Sequence, residues 1–346
     1  MTADALLPEL TAQAATAAHR AADHRHGGAT ARAANAARLD EGGRSREADA
    51  RAEGATGGCS CAADVLAARP DATVVRHAGA VAKAHAPGTD PAELALRLAA
   101  AARLPGVLLP PLAPEPLRLR DRLVTFWPHG SPVDPDVPDA APWEAAATLL
   151  ARLHRAPVAP GLPAMRGPAK AADAVARLRA AAPGHPAARP VLRAWTTLPA
   201  WARAEAPMPG PGTLCHGDLH LGQLVRHPAG DGPWLLIDVD DLGTGAPVWD
   251  LGRPAAWFAC GLLPPETWTR FLTAYRAAGG PAVAAAGDPW AALDTAARAL
   301  TVQTAALAVA KAAGAGRPVD EVEQAVVDAC DRMSRLPPEL ADGPPK

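Results

Sequence analysis

Leu214-Cys-His-Gly-Asp-Leu-His-Leu-Gly-Gln223, followed by Leu235-Leu-Ile-Asp-Val-Asp-Asp241, is the stretch that decides how this chain reads. The first run sets a polar cluster, His216, Asp218, His220 and Gln223, in a tight glycine-containing loop. The second is a hydrophobic strand that delivers Asp238 at its end. Between them, Leu224-Val225 and the turn-rich segment Pro228 to Pro233 have the pattern of a hairpin. A hairpin brings the loop before its first strand close to the residues after its second. Asp218, Gln223 and Asp238 are therefore expected to converge on one point.

Phosphoryl transfer is chemistry that such a point supports. A hydroxyl nucleophile needs a carboxylate to orient it and accept its proton, which suits Asp218. Mg²⁺ takes oxygen ligands, one or two of them from protein, which suits Asp238 and the amide oxygen of Gln223. A hydrolytic zinc site through His216, Asp218 and His220 is the competing reading. It would need further ligands in a second cluster, and His227 is the last histidine of the chain.

His216-Gly-Asp-Leu-His220 through Gln223, then Ile237-Asp238 and Trp249-Asp250-Leu251-Gly252, resemble the aminoglycoside phosphotransferase and choline kinase family. The resemblance implies an α+β, bilobal protein-kinase-like fold, with a small β-rich N-lobe and a larger, mainly helical C-lobe. It implies ATP and Mg²⁺ as cofactors and a small-molecule acceptor: an aminoglycoside-, sugar- or amino-alcohol-like hydroxyl compound. In this reading Asp218 is the catalytic base and Asp238 the principal Mg²⁺ ligand, joined by Gln223 and Asp240. Gln223 stands where the family usually has Asn, and maltokinase-like members of the group also carry Gln there. His216 and Asp250 support the loop, while His220, Asp241, Trp249 and Trp257 are candidates for acceptor contact. For those four, loop bracing, a solvated turn and helix core are the structural alternatives.

Lys83 resembles the kinase lysine that meets the nucleotide phosphates. It is centred in the alternating strand Val81-Ala82-Lys83-Ala84-His85, in a chain where Arg far outnumbers Lys. Glu93 is the candidate partner of Lys83, although helix capping also explains it. No glycine-rich phosphate loop precedes Thr73. The turn Arg69-Pro70-Asp71-Ala72-Thr73 takes its place, which makes Thr73 a candidate nucleotide contact. The hinge would be Phe126-Trp127-Pro128, where Trp127 and His129 either meet the adenine edge or belong to the core. The alternative function on the same fold is a pseudokinase, a nucleotide-binding regulatory protein without turnover.

Composition narrows the remainder. The chain has 346 residues, 49% hydrophobic and 20% charged, which is a globular balance. A net charge of -2 gives no general affinity for nucleic acid or anionic membrane. No apolar run approaches the roughly 18 residues of a membrane span, and no signal peptide is read from the N-terminus. Five scattered cysteines argue against a disulfide framework and for a reducing cytoplasm, with Cys59 and Cys61 read as incidental. A monomer is the default expectation.

Five segments are expected. Residues 1–58 form an Ala/Arg-rich, largely mobile extension with one Ala-rich helix over residues 6–25. Residues 59–127 form the nucleotide-binding lobe, with strands at 73–77, 80–85, 117–119 and 123–127 around a helix at 91–103 capped by Asp90. Residues 128–142 are the hinge, 143–336 the helical lobe, and 337–346 a tail. Within the helical lobe, helices are expected at 143–155, 169–182, 190–204, 265–278, 289–313 and 320–336.

Overall fold

The computed structural model describes residues 6–37, 63–210 and 212–335. They fall into two compact units. One comprises the described residues up to Arg103 together with Leu109–Gly130 and His227–Ala229. The other comprises Leu104–Leu108, Ser131–Arg226 and the described residues from Gly230 onward.

The first unit is built on a five-stranded antiparallel sheet. Its strands are β1 (Ala63–Ala68), β2 (Thr73–His77), β3 (Ala80–Ala84), β4 (Leu117–Leu119) and β5 (Arg122–Pro128), in the order β1-β2-β3-β5-β4. β2 and β3 alternate buried and half-buried residues, as period-two side chains on a two-faced sheet must. Their register pairs Val74 with Lys83 and Thr73 with Ala84. Lys83 also pairs with Thr125 of β5. β1 escapes sequence reading because five of its six residues are exposed, so it carries no alternation. The β1–β2 turn is closed by reciprocal bonds: Arg69 N–H donates to Ala72 O and Ala72 N–H donates to Arg69 O.

Two helices join this sheet. α2 (Pro91–Arg103) starts as its sequence dictates: Asp90 Oδ1 accepts from the N–H groups of Ala92 (2.8 Å) and Glu93 (2.9 Å). Its inward face carries Leu94, Leu98 and Ala101. α1 (Leu7–Ala37) is longer than the helix expected within the extension, and its beginning is docked rather than loose. Leu6, Leu10 and Ala14, one stripe at helical spacing, pack on Val75, Ala82, Ala84, Val124 and Phe126. Small alanines on β3 let the helix approach closely, and an ion pair between Glu9 and Arg120 flanks the contact. The rest of the expected extension, with Cys59 and Cys61, and the expected tail lie outside the described residues.

The second unit is mainly helical. α3 (Trp143–Arg155), α4 (Gly167–Ala181), α5 (Ala188–Thr196), α6 (Val248–Ala259), α7 (Pro265–Ala277), α8 (Trp290–Gly314) and α9 (Glu321–Met333) surround two small sheets. β6 (Ser131–Pro132), β8 (Leu224–Arg226) and β9 (Trp234–Leu236) form one sheet, and β7 (Thr213–Cys215) pairs with β10 (Gly243–Gly245) in the other. The helix expected over 190–204 is broken: α5 stops at Thr196, and a short 3₁₀ turn over Ala200–Arg203 follows Pro199. α6 was not among the expected helices, and it carries Gly252 and Pro254 within its length. Gly252 has a packing reason. A Cβ on Gly252 would stand 3.0 Å from Ala296 of α8, so the bare glycine lets the two helices touch.

Leu10 is fully buried. Leu10→Ala should cost the first unit about 2–5 kcal/mol, read as a lowered denaturant midpoint. A loss within about 0.5 kcal/mol, the usual range for surface substitutions, would mean that the helix does not dock.

Candidate active site

β7 leads into the loop His216–Gln223. Gly217 has a φ of +87°, and a Cβ there would stand 2.4 Å from the Asp241 carbonyl, so only glycine fits. The β8–β9 hairpin is as expected from sequence, and it stitches the loop to the following acidic segment. Ile237 N–H donates to Gln223 O (2.9 Å), and His216 Nε2 donates to Ile237 O (2.8 Å). Next in line, Asp238 holds a φ of +68°, a left-handed conformation uncommon outside glycine, and its Oδ1 accepts from Asp240 N–H (3.2 Å). Backbone strain of this kind concentrates at functional positions.

Behind the loop lies Asp250 of α6, only 1% exposed. Its two oxygens accept from His216 N–H (2.6 Å), Gly217 N–H (2.8 Å) and His154 Nε2 (3.0 Å). Tyr275 continues the chain. Ala282 N–H donates to the Tyr275 hydroxyl (3.0 Å), which in turn donates to His154 Nδ1 (2.8 Å). His154 therefore bridges the Tyr275 hydroxyl and the Asp250 carboxylate through its two ring nitrogens. Burial pushes the Asp250 carboxyl up, but the bonds from His154 and the His216 N–H outweigh it and hold the group below the usual carboxylate range.

Asp218 stands at the front of the loop with both oxygens engaged. Arg253 of α6 donates to Oδ1 (2.7 Å), and Lys170 of α4 donates to Oδ2 (2.7 Å). Lys170 also donates to Asp241 Oδ2 (2.7 Å), and Arg253 also holds the Leu219 carbonyl (3.1 Å). Burial pushes Asp218 up, but the two cations hold it well below the usual range. Asp241 shares Lys170 and yet is raised: burial dominates, it lacks an arginine, and Asp218 and Asp238 lie nearby. With an ammonium 2.7 Å away from each, we treat both carboxyls as ionised at neutral pH. Lys170 is raised because these two carboxylates outweigh its own desolvation.

The remaining expected residues separate into those near this cluster and those elsewhere. Gln223 and Asp240 are half-buried; Gln223 is bonded through its carbonyl to Ile237, the residue before Asp238, and Asp240 N–H bonds Asp238 Oδ1. His220 braces: its Nδ1 accepts from Gly222 N–H (3.1 Å) and caps the short turn Leu221–Gln223. Trp257 lines a small pocket with Trp143, Leu219, His220, Leu221 and Arg253. Trp249 is core rather than acceptor surface, packed edge-on to Trp201 and against Gly167.

On the first unit, Thr73 is fully buried, and its register with Ala84 places it on the face opposite Lys83, under α1. It cannot share a ligand with Lys83. Trp127 shares Lys83's face but is 8% exposed, with its indole N–H donating to Thr125 Oγ1 (2.8 Å). Glu93 pairs with Arg97 (3.1 Å) besides accompanying the Asp90 cap.

Lys170 and Arg253 were missed. Arg253 follows Asp250 by one helical turn, a neighbour visible only once α6 is recognised. Lys170 had a compositional signal: it is one of only four lysines, the scarcity that singled out Lys83. As for the metal, Asp238, Gln223 and Asp240 offer oxygen donors only, the set that Mg²⁺ takes.

Two outcomes follow from the buried network. Tyr275→Phe leaves Ala282 N–H and His154 Nδ1 unpaired and should cost about 1–3 kcal/mol in denaturant unfolding, without loss of the fold. Asp218 and Asp250 both have folded-state values below their unfolded ones. Their contribution to stability is therefore complete above about pH 4 and is lost as pH falls below it, which an acid titration monitored by tryptophan fluorescence would show. Full stability retained to pH 2 would contradict it.

A sequence model of the phosphotransferase enzyme family matches residues 63–293. Comparison with curated proteins finds no match. Among solved structures, a thermostable mutant of aminoglycoside phosphotransferase APH(4)-Ia in its apo form superposes with a TM-score of 0.54 at 14% identity, covering 79% of this chain and 94% of that one. Spectinomycin phosphotransferase APH(9)-Ia, in complex with ADP and spectinomycin, gives 0.52 at 12% identity over 80% and 90%. A ternary complex of the APH(4)-Ia mutant with AMP-PNP and hygromycin B gives 0.52 at 13% over 81% and 95%. At such identities these likenesses speak for the fold. With its α+β architecture and the family match across most of its length, the chain belongs to the phosphotransferase enzyme family and has the protein-kinase-like fold.

Proposed function

We propose that the chain moves the γ-phosphoryl group of ATP to a hydroxyl of a small molecule, with Asp218 as the residue that orients that hydroxyl. The observation that carries this reading is the Asp218 carboxylate, fixed through both oxygens in a loop anchored to Asp250 and tied to the strand leading into Asp238. The nucleotides in the two solved relatives, ADP and AMP-PNP, support ATP as the donor.

In this mechanism Asp218 accepts a hydrogen bond from the acceptor hydroxyl and turns its lone pair toward the phosphorus. A carboxylate held so far below its ordinary pKa is a weak base in the ground state. That is no obstacle in a loose transition state, where the hydroxyl proton is released late and orientation matters most. Asp238, Gln223 and Asp240 would hold Mg²⁺, which when bound neutralises charge on the transferring phosphate oxygens. Lys83 is the residue of the first unit proposed to meet the nucleotide phosphates, as a point charge suited to that task. Gly217, barred from carrying a side chain by Asp241, keeps the loop in the one conformation that presents Asp218.

The test is ADP release from MgATP with pooled acceptors: sugars, amino alcohols, nucleosides and aminoglycosides. Stimulation by one pool is expected, and Asp218→Asn should lower it by about 10²–10⁴-fold. Undiminished turnover in that variant would remove Asp218 from the mechanism. Mg²⁺-dependent ATP binding with no transfer to any pool would favour the pseudokinase alternative, which the absence of a glycine-rich turn before Thr73 supports.

A further inference from the structure

Lys170 is an unusual residue where it stands. It lies in the first turn of α4, where the helix dipole disfavours a cation. Its chain is largely desolvated, in a protein that has only four lysines among 34 basic residues. Two carboxylates offset those costs, Asp218 Oδ2 and Asp241 Oδ2, each 2.7 Å from the ammonium. Arg253 meets the other oxygen of Asp218 at 2.7 Å. Of the carboxylates at this place, Asp218 and Asp241 are thus met by the chain's own cations, Lys170 and Arg253. The Lys170 side chain remains 33% exposed. Two of its three N–H donors are engaged by these carboxylates, and the third is left to meet an oxygen of an incoming molecule.

This arrangement discriminates between acceptors. An acceptor whose hydroxyl is flanked by ammonium groups would bring positive charge against Lys170, whose ammonium already pairs with both Asp218 and Asp241. An acceptor whose neighbouring groups are hydroxyl, carbonyl or anionic oxygens would gain a hydrogen bond from the same ammonium. We propose that Lys170 sets the acceptor class, admitting neutral or anionic hydroxyl compounds and turning away polyamines. The proposal rests on the phosphotransferase reading of this site and narrows it.

The experiment is a calorimetric titration of neomycin, a polyamine without anionic groups, into the full chain in the presence of MgADP at fixed ionic strength. Wild type, Lys170→Gln and Lys170→Arg are compared. Wild type and Lys170→Arg should show no saturable binding, while Lys170→Gln should gain at least about tenfold in affinity, of the order of one charge contact near a protein surface. Tight neomycin binding by wild type, or no gain in Lys170→Gln, would overturn the proposal. If Lys170→Gln fails to fold, the contrast between neomycin and a neutral disaccharide on wild type decides, with preference for neomycin overturning it. Failure of the phosphotransferase reading shows itself differently, as no ADP release with any acceptor, and the binding comparison does not depend on turnover.

Discussion

Everything at this site hangs on one buried carboxylate. Asp250 is taken out of water completely, a cost of several kcal/mol that only dense hydrogen bonding can offset. It receives two backbone N–H groups from the loop and one ring N–H from His154. Because an uncompensated buried charge is so unfavourable, those bonds hold the backbone of His216 and Gly217 firmly. The next residue is Asp218. The position of the Asp218 carboxylate is therefore set by a side chain on α6, through the main chain. Tyr275, the only tyrosine of the chain, extends the arrangement to α7 through His154.

In front of that anchor the chain balances charge. Four acidic residues, Asp218, Asp238, Asp240 and Asp241, come within a short stretch of backbone. Left alone they would repel one another and raise each other's pKa. Arg253 and Lys170 split the problem: the arginine serves Asp218, and the lysine is shared with Asp241. The opposite shifts of the two carboxyls are the signature of that division. Asp238 is constrained by backbone geometry as well, in a left-handed conformation uncommon outside glycine. Constraint by backbone on one side and by ion pairs on the other is how a loop can be as rigid as an element of regular structure.

Much of this was legible in the sequence because it is local. The β2–β3 hairpin, the Asp90 cap and the His216–Gln223 loop are each written in contiguous residues. The support role expected of Asp250 fits the bonds it makes. What was not legible depends on packing between distant segments. α1 looked like a loose appendage because Leu6, Leu10 and Ala14 are a sparse stripe, sufficient only because alanines on β3 leave room for a helix. α6 was not among the expected helices; the cost of its Gly252 is offset by contact with α8. Thr73 was taken for a ligand contact when strand register turns it to the wrong face. Lys170 lies 48 positions before Asp218, a distance across which no spacing rule operates.

The most direct test of this account is amide hydrogen exchange at His216 and Gly217, compared between wild type and Asp250→Asn under conditions where both remain folded. The buried carboxylate should make both amides slow in wild type, and its replacement should speed them by about a hundredfold or more as the loop opens locally. Equal exchange in the two proteins, or fast exchange already in wild type, would show that the loop holding Asp218 is ordered by something other than Asp250.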